Sequence, residues 1–522
     1  MKEKIKNISK ITVTTQEVCY YLFFSLIFFA KGIGLYDGQT VFKFFLLLSM
    51  VFLGIKLLLT EYTMQELIIM ALLCIAALLS YYNTREKGIL FVLMIVIGLK
   101  NVPLKRIFGV ALFVWSISFI PTVWLTTLGW IASPFRVHVR PLVGFIIRWG
   151  LGSAHPNVGH IAYLIFTVLA VYVLGEKISW KWCLLLFSGN CFVFLFTVSQ
   201  TGFLMTSFYL AAVIYLIYRK KPSKLEYALV ECVLPACILA SLVLPVILKG
   251  KAFDLLNKLM NTRMMQSKRY LTEEKITLFG SRLSLTNAIN TMDNSYLFAF
   301  MTYGVITFGI IAAAYFLLIH KCVKEQKKRE LAMIVTLLIT GLSEPFLFNT
   351  SFKNISLLFL GGLLFQGKAP QGGVWGRTIC FLKNGNRTMQ IPVGKGKENW
   401  RKLRACAIEK GALLAAGAVI GAVLWAGIFS LTADIPDKII VPRQLCDSVE
   451  QESIYMTAED ETRDALVLGY QDEETPMVVF DGTLSHFEYV RGLVCRAAYG
   501  AGVGFIVVLA GCSMIKYKDS SK

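Results

Sequence analysis

Charge is scarce in this chain. Of its 522 residues only 16% are Asp, Glu, Lys or Arg, against roughly 25% in soluble domains. Histidine is rarer still, with five. The twelve cysteines are scattered, most of them inside apolar runs, and none forms a CxxC pair. That distribution suggests neither a zinc site nor a disulfide framework. No period-two alternation points to a β-barrel. The opening "MKEKIKNISK" is basic and leads into apolar residues without a small-residue cleavage signature. It reads as the approach to a first span and not as a removed signal peptide.

Hydrophobic length is what the chain has instead. Fully 56% of its residues are hydrophobic, and runs of about 17–25 apolar residues, enough to cross a bilayer, recur along it. The expectation is an all-α polytopic membrane protein with about fourteen transmembrane helices. The net charge of +20 would hint at nucleic acid in a soluble protein. Here the basic residues collect in short loops, so the positive-inside rule accounts for them and no nucleic-acid partner is expected. With both termini cytoplasmic, "KNVPLKR", "GEKISWK", "YRKKPSK" and "HKCVKEQKKRE" all fall inside. Residues 368–410, with ten Lys or Arg against two Glu, fall there too. The loop "NTREKG" at 83–88 is the exception and falls outside.

Three units follow. Residues 1–367 form a membrane domain of twelve helices with a long external loop at 249–293. Residues 368–407 form a basic cytoplasmic linker. Residues 408–522 form a two-helix appendage enclosing an acidic external module at 432–491, with fourteen Asp or Glu against four Lys or Arg. Short β-like runs, "DALVLGY" and "PMVVFDG", mark that module as a small soluble unit. Its flanking spans carry Gly417-x-x-x-Gly421 and Gly500-x-x-x-Gly504, a spacing that lets two helices approach closely.

The external loops break the charge rule. Segment 249–293 holds eight Lys or Arg, including Arg263, Arg269 and Arg282, against four acids. Segment 131–160 adds Arg136, Arg140 and Arg148, with His138, His155 and His160. A basic external face suits an anionic ligand, and the planar fork of Arg suits phosphate. Contact with anionic lipid headgroups, or a solvated loop, is the plainer alternative. Three polar stretches border spans on this side: "RWGLGSAHPNVGH" (148–160), "TVSQTGFLM" (197–205) and "GSRLSLTNAINTMDNSYL" (280–297). Plainer roles exist here too. Asp293 precedes a helix, where Asp is a favoured N-cap. His155 before Pro156 can shape a helix start, and Ser199 and Gln200 can form a turn. Glu344 lies near the outer end of a span, close enough to the surface to be solvated.

Taken together these residues resemble the Wzy-type O-antigen and capsular-polysaccharide polymerases, within the broad family shared with O-antigen ligases. The resemblance is carried by His155-Pro156-Asn157 opening a span and by the Ser199-Gln200-Thr201-Gly202 hairpin. It is carried further by Asp293-Asn294-Ser295-Tyr296-Leu297, by Gly304 in "YGVITFGI" and by "GLSEP" at 341–345. It covers roughly residues 15–367 and not 368–522. Gln200 stands where the family often has Arg, and Asp293-Asn294 where many ligases have His-Asn; the Asp form resembles polymerases of Gram-positive type.

The resemblance implies a glycosyltransferase at the outer face of a bacterial cytoplasmic membrane. It would join oligosaccharide repeat units carried on undecaprenyl diphosphate, with no metal and no cofactor. A hydroxyl of one repeat unit would attack the anomeric carbon of the other chain, and lipid diphosphate would leave. Asp293 or His155 would take the hydroxyl proton. Arg148, Arg263, Arg269 and Arg282 would hold the diphosphate, with Asn157, Gln200, Asn294, Tyr296 and Glu344 in support. Membrane lipid and a chain-length regulator are the other implied partners. Three rival readings stand beside this one, one of them a non-catalytic sensor suggested by the acidic module at 432–491. A ligase would share fold and donor but use another acceptor. A transporter would suit the many spans, yet it calls for internal repeats and for charged or broken helices near the bilayer centre.

Overall fold

Apolar runs can leave water only if their backbone groups bond one another, and a helix achieves this within a single segment. The computed structural model describes residues 10–140, 144–219, 222–260, 262–285, 292–365, 377–382, 385–392, 410–447, 452–455, 465–469, 474–480 and 482–519. Helices dominate: α1 (Thr15–Gly32), α2 (Thr40–Leu58), α3 (Met64–Thr84), α4 (Gly88–Gly98), α5 (Leu104–Thr127), α6 (Pro156–Leu174), α7 (Trp180–Thr197) and α8 (Gln200–Tyr218). Then come α9 (Lys224–Ile238), continued through Leu239–Val243 into α10 (Leu244–Ile247), α11 (Gly250–Leu259), α12 (Arg263–Glu273) and α13 (Ser295–Lys324). The last are α14 (Lys328–Thr340), α15 (Leu357–Leu364), α16 (Gly411–Thr432) and α17 (Gly482–Asp519).

Among the described residues ten helical segments are long and apolar enough to cross a membrane. This is an all-α multi-pass membrane protein. Each of the fourteen apolar runs lies on a helix, but four differ from the expectation of a full span. α4, α14 and α15 are only 11, 13 and 8 residues long. α1 is interrupted in its apolar character by Gln16, Glu17 and Lys31. Short helices ending inside the bundle leave room for irregular backbone, and residues 341–356 between α14 and α15 are such a stretch.

α13 is broken once. Gly304 has φ +83° and ψ 169° within it, a conformation open to glycine and little else. The gap admits the 277–280 backbone: Val305 N donates to Thr277 O at 3.1 Å and Ile306 N to Leu278 O at 3.1 Å. Gly280 makes the matching approach, since a Cβ there would lie 1.8 Å from Thr302 O. The "YGVITFGI" glycine therefore seats the end of the long loop against the helix.

Among the described residues, strands occur only at the ends of the bundle. β1 (Lys10–Thr14) pairs with β6 (Thr388–Pro392), and β2 (Tyr62–Thr63) with β5 (Thr378–Ile379), all antiparallel. Two stretches of the basic linker thus dock back onto the chain; the rest of 368–407 lies outside the described residues. At the other end β3 (Phe135–Arg140) pairs antiparallel with β4 (Gly144–Trp149) and parallel with β8 (Cys446–Asp447). A second sheet runs β10 (Met477–Phe480), β7 (Lys438–Pro442), β9 (Ala465–Val467). Val137 and Ile147 from one sheet share a core with Ile439, Val441, Val478 and Phe480 from the other. The small module is therefore a composite, half of it supplied by the hairpin that precedes α6. Period-two patterning marked its strands but could not say with which distant hairpin they pair.

The glycine spacing does what close packing asks. α16 and α17 cross so tightly that a Cβ on Gly421 would lie 2.0 Å from Gly500 O, and one on Gly504 2.0 Å from Gly417 O. α17 also reaches the bundle. Tyr499 Oη donates to Trp124 O at 2.9 Å, and the two rings sit edge to face at 4.2 Å.

Candidate functional site

The stretch "DNSYL" and the stretch "GLSEP" are far apart in sequence and joined in space. Asn294 is the N-cap of α13: its Oδ1 accepts from Tyr296 N at 2.9 Å and Leu297 N at 3.0 Å, while its Nδ2 donates to Ser241 Oγ at 2.9 Å. Ser295 N donates to Gly341 O at 2.8 Å, and Ser295 Oγ donates to Glu344 O at 2.5 Å. Tyr296 Oη donates to Leu338 O at 2.8 Å. The helix cap is therefore one residue later than Asp293, because the Asn amide can both accept from the helix and donate across to Ser241. Asp293 is left at the rim, and the turn holding Glu344 is bolted beneath it.

α6 begins the same way on the opposite wall. His155 is its N-cap, with Nδ1 accepting from Asn157 N at 3.2 Å, and Pro156 fills the first helical position. That bond fixes the neutral ring: its proton sits on Nε2, leaving His155 a donor there. Arg148 on β4 is buried. Its Nη2 donates to Asn157 Oδ1 at 2.6 Å and its Nε to Thr197 O at 3.0 Å. α12 packs Tyr270 against Met292, Leu297 and Met301. This brings Arg263 to within 3.6 Å of the Asp293 carboxylate.

Between these walls lies a cleft of about 780 Å³. His155, Asn157, Arg282, Asp293 and Glu344 all line it, together with Thr84, Glu86 and Asn349. Glu344 is not solvated as its place near a span end suggests; it is 6% exposed. Its Oε1 has no hydrogen-bond partner among the described residues, nor has Arg263 Nε. Burial, helped by the Asp293 carboxylate, pushes the Glu344 carboxyl up to about 8, against the pull of Arg263, Arg148 and Lys353. Burial draws the Lys353 ammonium down to about 7. Lys353 donates to Val158 O at 3.0 Å on the α6 wall.

Some expected site residues lie elsewhere. Arg269 pairs with Glu273 at 3.3 Å on the exposed face of α12 and does not line the cleft. Gln200 is exposed at the start of α8, where Ser199 makes the cap by accepting from Gly202 N. Tyr296 and Asn294 are buried and hold the fold together. Glu86, which lines the cleft, was not anticipated, nor was Lys353, which braces the α6 wall without lining the cleft. Glu86 comes from "NTREKG", the short charged loop that falls outside against the charge rule, and that breach was the available signal. Lys353 is a lone cation in the otherwise uncharged "NTSFKNISLL"; its isolation was a signal too.

The cleft thus presents the Arg282 guanidinium together with the carboxylates of Glu86, Asp293 and Glu344, and Arg263 pairs with one of these, Asp293. Among the described residues no three His, Cys, Asp or Glu side chains converge as a metal-ligand set. No protein-family model, no curated protein and no solved structure matches this chain.

Proposed function

We propose that this protein is a Wzy-type polymerase in a bacterial cytoplasmic membrane. On this reading it crosses the bilayer about fourteen times, four of the crossings short or broken, with both termini in the cytoplasm. It joins undecaprenyl-diphosphate-linked repeat units at the outer face. One observation supports it above the rest. His155, Asn157, Arg282, Asp293 and Glu344, drawn from three distant stretches, line a single cleft, and Arg148 and Arg263 are tied to two of them, Asn157 and Asp293, on the side where the positive-inside rule leaves an unexplained excess of arginine.

The chemistry asks for a proton acceptor and for fixed positive charge at the departing diphosphate. The acceptor hydroxyl attacks the anomeric carbon, and its oxygen forms the new glycosidic bond. The bond to the diphosphate breaks, and that electron pair leaves with the phosphate. Asp293 takes the hydroxyl proton. His155, with its proton on Nε2, donates to a substrate oxygen. Arg282, Arg263 and Arg148 hold the diphosphate, and Asn157 orients Arg148 through their 2.6 Å bond. The break at Gly304 is the feature a transporter reading would use. Its freed N–H groups are already taken by Thr277 and Leu278 carbonyls, so it offers no ready ion site.

The test is the lipid-linked saccharide profile of cells lacking the protein. Accumulated single repeat units are expected, and Asp293→Ala or His155→Ala protein that inserts normally fails to restore polymer. Unattached full-length polymer would assign a ligase instead. An unchanged profile would sink both.

A further inference from the structure

Arg148 is held from two sides, and both lead to α17. Its Nε donates to Thr197 O, at the end of α7. Arg491 grips the two residues before Thr197: Nε donates to Leu195 O at 2.7 Å and Nη2 to Phe196 O at 3.4 Å. On the other side, Trp149 follows Arg148 directly on β4, and its Nε1 donates to Glu488 Oε2 at 3.0 Å. Glu488 and Arg491 are ion-paired, three residues apart on α17. One pair of charged side chains thus clamps the strand that carries Arg148 to the helix end that receives its hydrogen bond.

Simple anchoring of α17 does not call for such a pair. The Tyr499 contacts with Trp124 and the glycine crossing with α16 already anchor it without charge. Arg491 is only 2% exposed, and burying an ion pair is costly enough that apolar residues often serve stability as well. What the pair adds is direction. A guanidinium fork held by two carbonyls fixes geometry in a way that apolar contacts cannot.

We propose that Glu488 and Arg491 are positioning residues for Arg148, which makes the C-terminal segment a working part of the cleft. The proposal rests on the polymerase reading only for what Arg148 binds; the clamp itself is independent of it. These residues lie wholly outside 15–367, where the family resemblance ends.

The experiment uses the full chain in lipid nanodiscs, with Trp149→Phe, Arg491→Lys, Arg148→Lys and the Arg148→Lys/Arg491→Lys double variant. Trp149→Phe removes the indole N–H and keeps a ring against Phe135, whose centroid is 5.1 Å away. Arg491→Lys keeps a cation for Glu488 and loses the fork. The first readout is site-resolved phenylglyoxal modification of Arg148, which needs no substrate. Modification is expected to quicken several-fold in Trp149→Phe and in Arg491→Lys; an unchanged rate in both overturns the clamp. The second is the half-saturating concentration of lipid-linked repeat unit. Arg491→Lys is expected to raise it roughly tenfold, since small misplacements of a binding group are costly. The double variant should do no worse than Arg148→Lys alone, because residues acting as one unit are not additive. Multiplying effects would mean that Arg491 acts elsewhere and would overturn the proposal. If wild-type protein makes no polymer while Arg148 labelling still responds, the polymerase reading falls and the clamp stands. If polymer forms and labelling does not respond, the clamp falls alone.

Discussion

α3 has a charged cluster at each end, and the two are built on opposite principles. At its start Lys56 is fully buried, and its Nζ donates to Thr60 Oγ1 at 2.8 Å and Lys100 O at 2.6 Å. Lys100 pairs with Glu66, and Arg106 with Glu17 at 2.9 Å. Each of these charges finds its partner within the protein. About 30 Å away along the helix, Thr84 borders the cleft, where Glu344 Oε1 has no hydrogen-bond partner among the described residues. A closed network holds a fold. A buried polar group left open costs stability unless water or a ligand fills the role, and Glu344 lines a cleft where either can reach it.

Substitutions at the two ends should therefore separate activity from stability, and this is the largest effect expected. Asp293→Asn should lower polymer formation about a hundredfold or more, the scale of a lost proton acceptor, while melting of the detergent-solubilised protein stays unchanged. Lys56→Met should do the reverse, losing about 1–3 kcal/mol through the buried Lys100 carbonyl left unpaired, with activity per folded molecule intact. Equal loss of melting temperature in both variants would erase the distinction between the clusters.

The open cluster also predicts a pH signature. Glu344 is raised from 4.5 to about 8 in the folded chain, so folded protein holds its proton more tightly than unfolded. The associated stability is complete below about pH 4.5 and is lost as pH rises through about 8. Lys353, drawn from 10.5 down to about 7, works in the opposite sense. Its unfolded form binds the extra proton between those values, so its effect is rising stability above pH 7. Melting temperature should fall from pH 5 toward 7, level between about 7 and 8 where the two effects oppose, and rise above that. Glu344→Gln should abolish the fall and leave the later rise. A Glu344→Gln curve parallel to wild type would show that Glu344 does not titrate there.

How much of this was legible beforehand follows from what sequence carries locally. Run length found the helices, and the Gly417/Gly421 and Gly500/Gly504 spacing found their crossing, because both are contained within one segment. Arg148 and Arg282 stood out because an uneven charge distribution marks one face, while Asn157 and Asp293 were singled out by the family resemblance. Pairing at a distance was not legible. Nothing in "PMVVF" names β7 as its neighbour, nothing in Trp149 names Glu488, and nothing in "GLSEP" names Ser295 as the residue that buries Glu344. Arg269 was misread because charge in a loop does not reveal which way a helical face turns; α12 presents Arg263 to Asp293 and Arg269 to Glu273.

The smallest effect contrasts two neighbours. Asn294 and Asp293 both stand before α13, and a cap is the ordinary role for either. The structure divides the work: Asn294 accepts from two helix N–H groups and donates to Ser241, while Asp293 lines the cleft. Asn294→Ala should cost about 1 kcal/mol, the usual worth of an N-cap, measured as a shift of the denaturation midpoint, with activity falling only in proportion to folded protein. Asp293→Ala should leave the midpoint where it is and abolish polymer. Asn294→Asp sharpens the contrast. A carboxylate still accepts from Tyr296 and Leu297 but cannot donate to Ser241, and it sets a second negative charge beside Asp293. That variant should keep most of the cap and still lose activity. If it is as active as wild type, the charge balance around Asp293 is not what the cleft depends on, and the open cluster reduces to an incompletely filled corner of the fold.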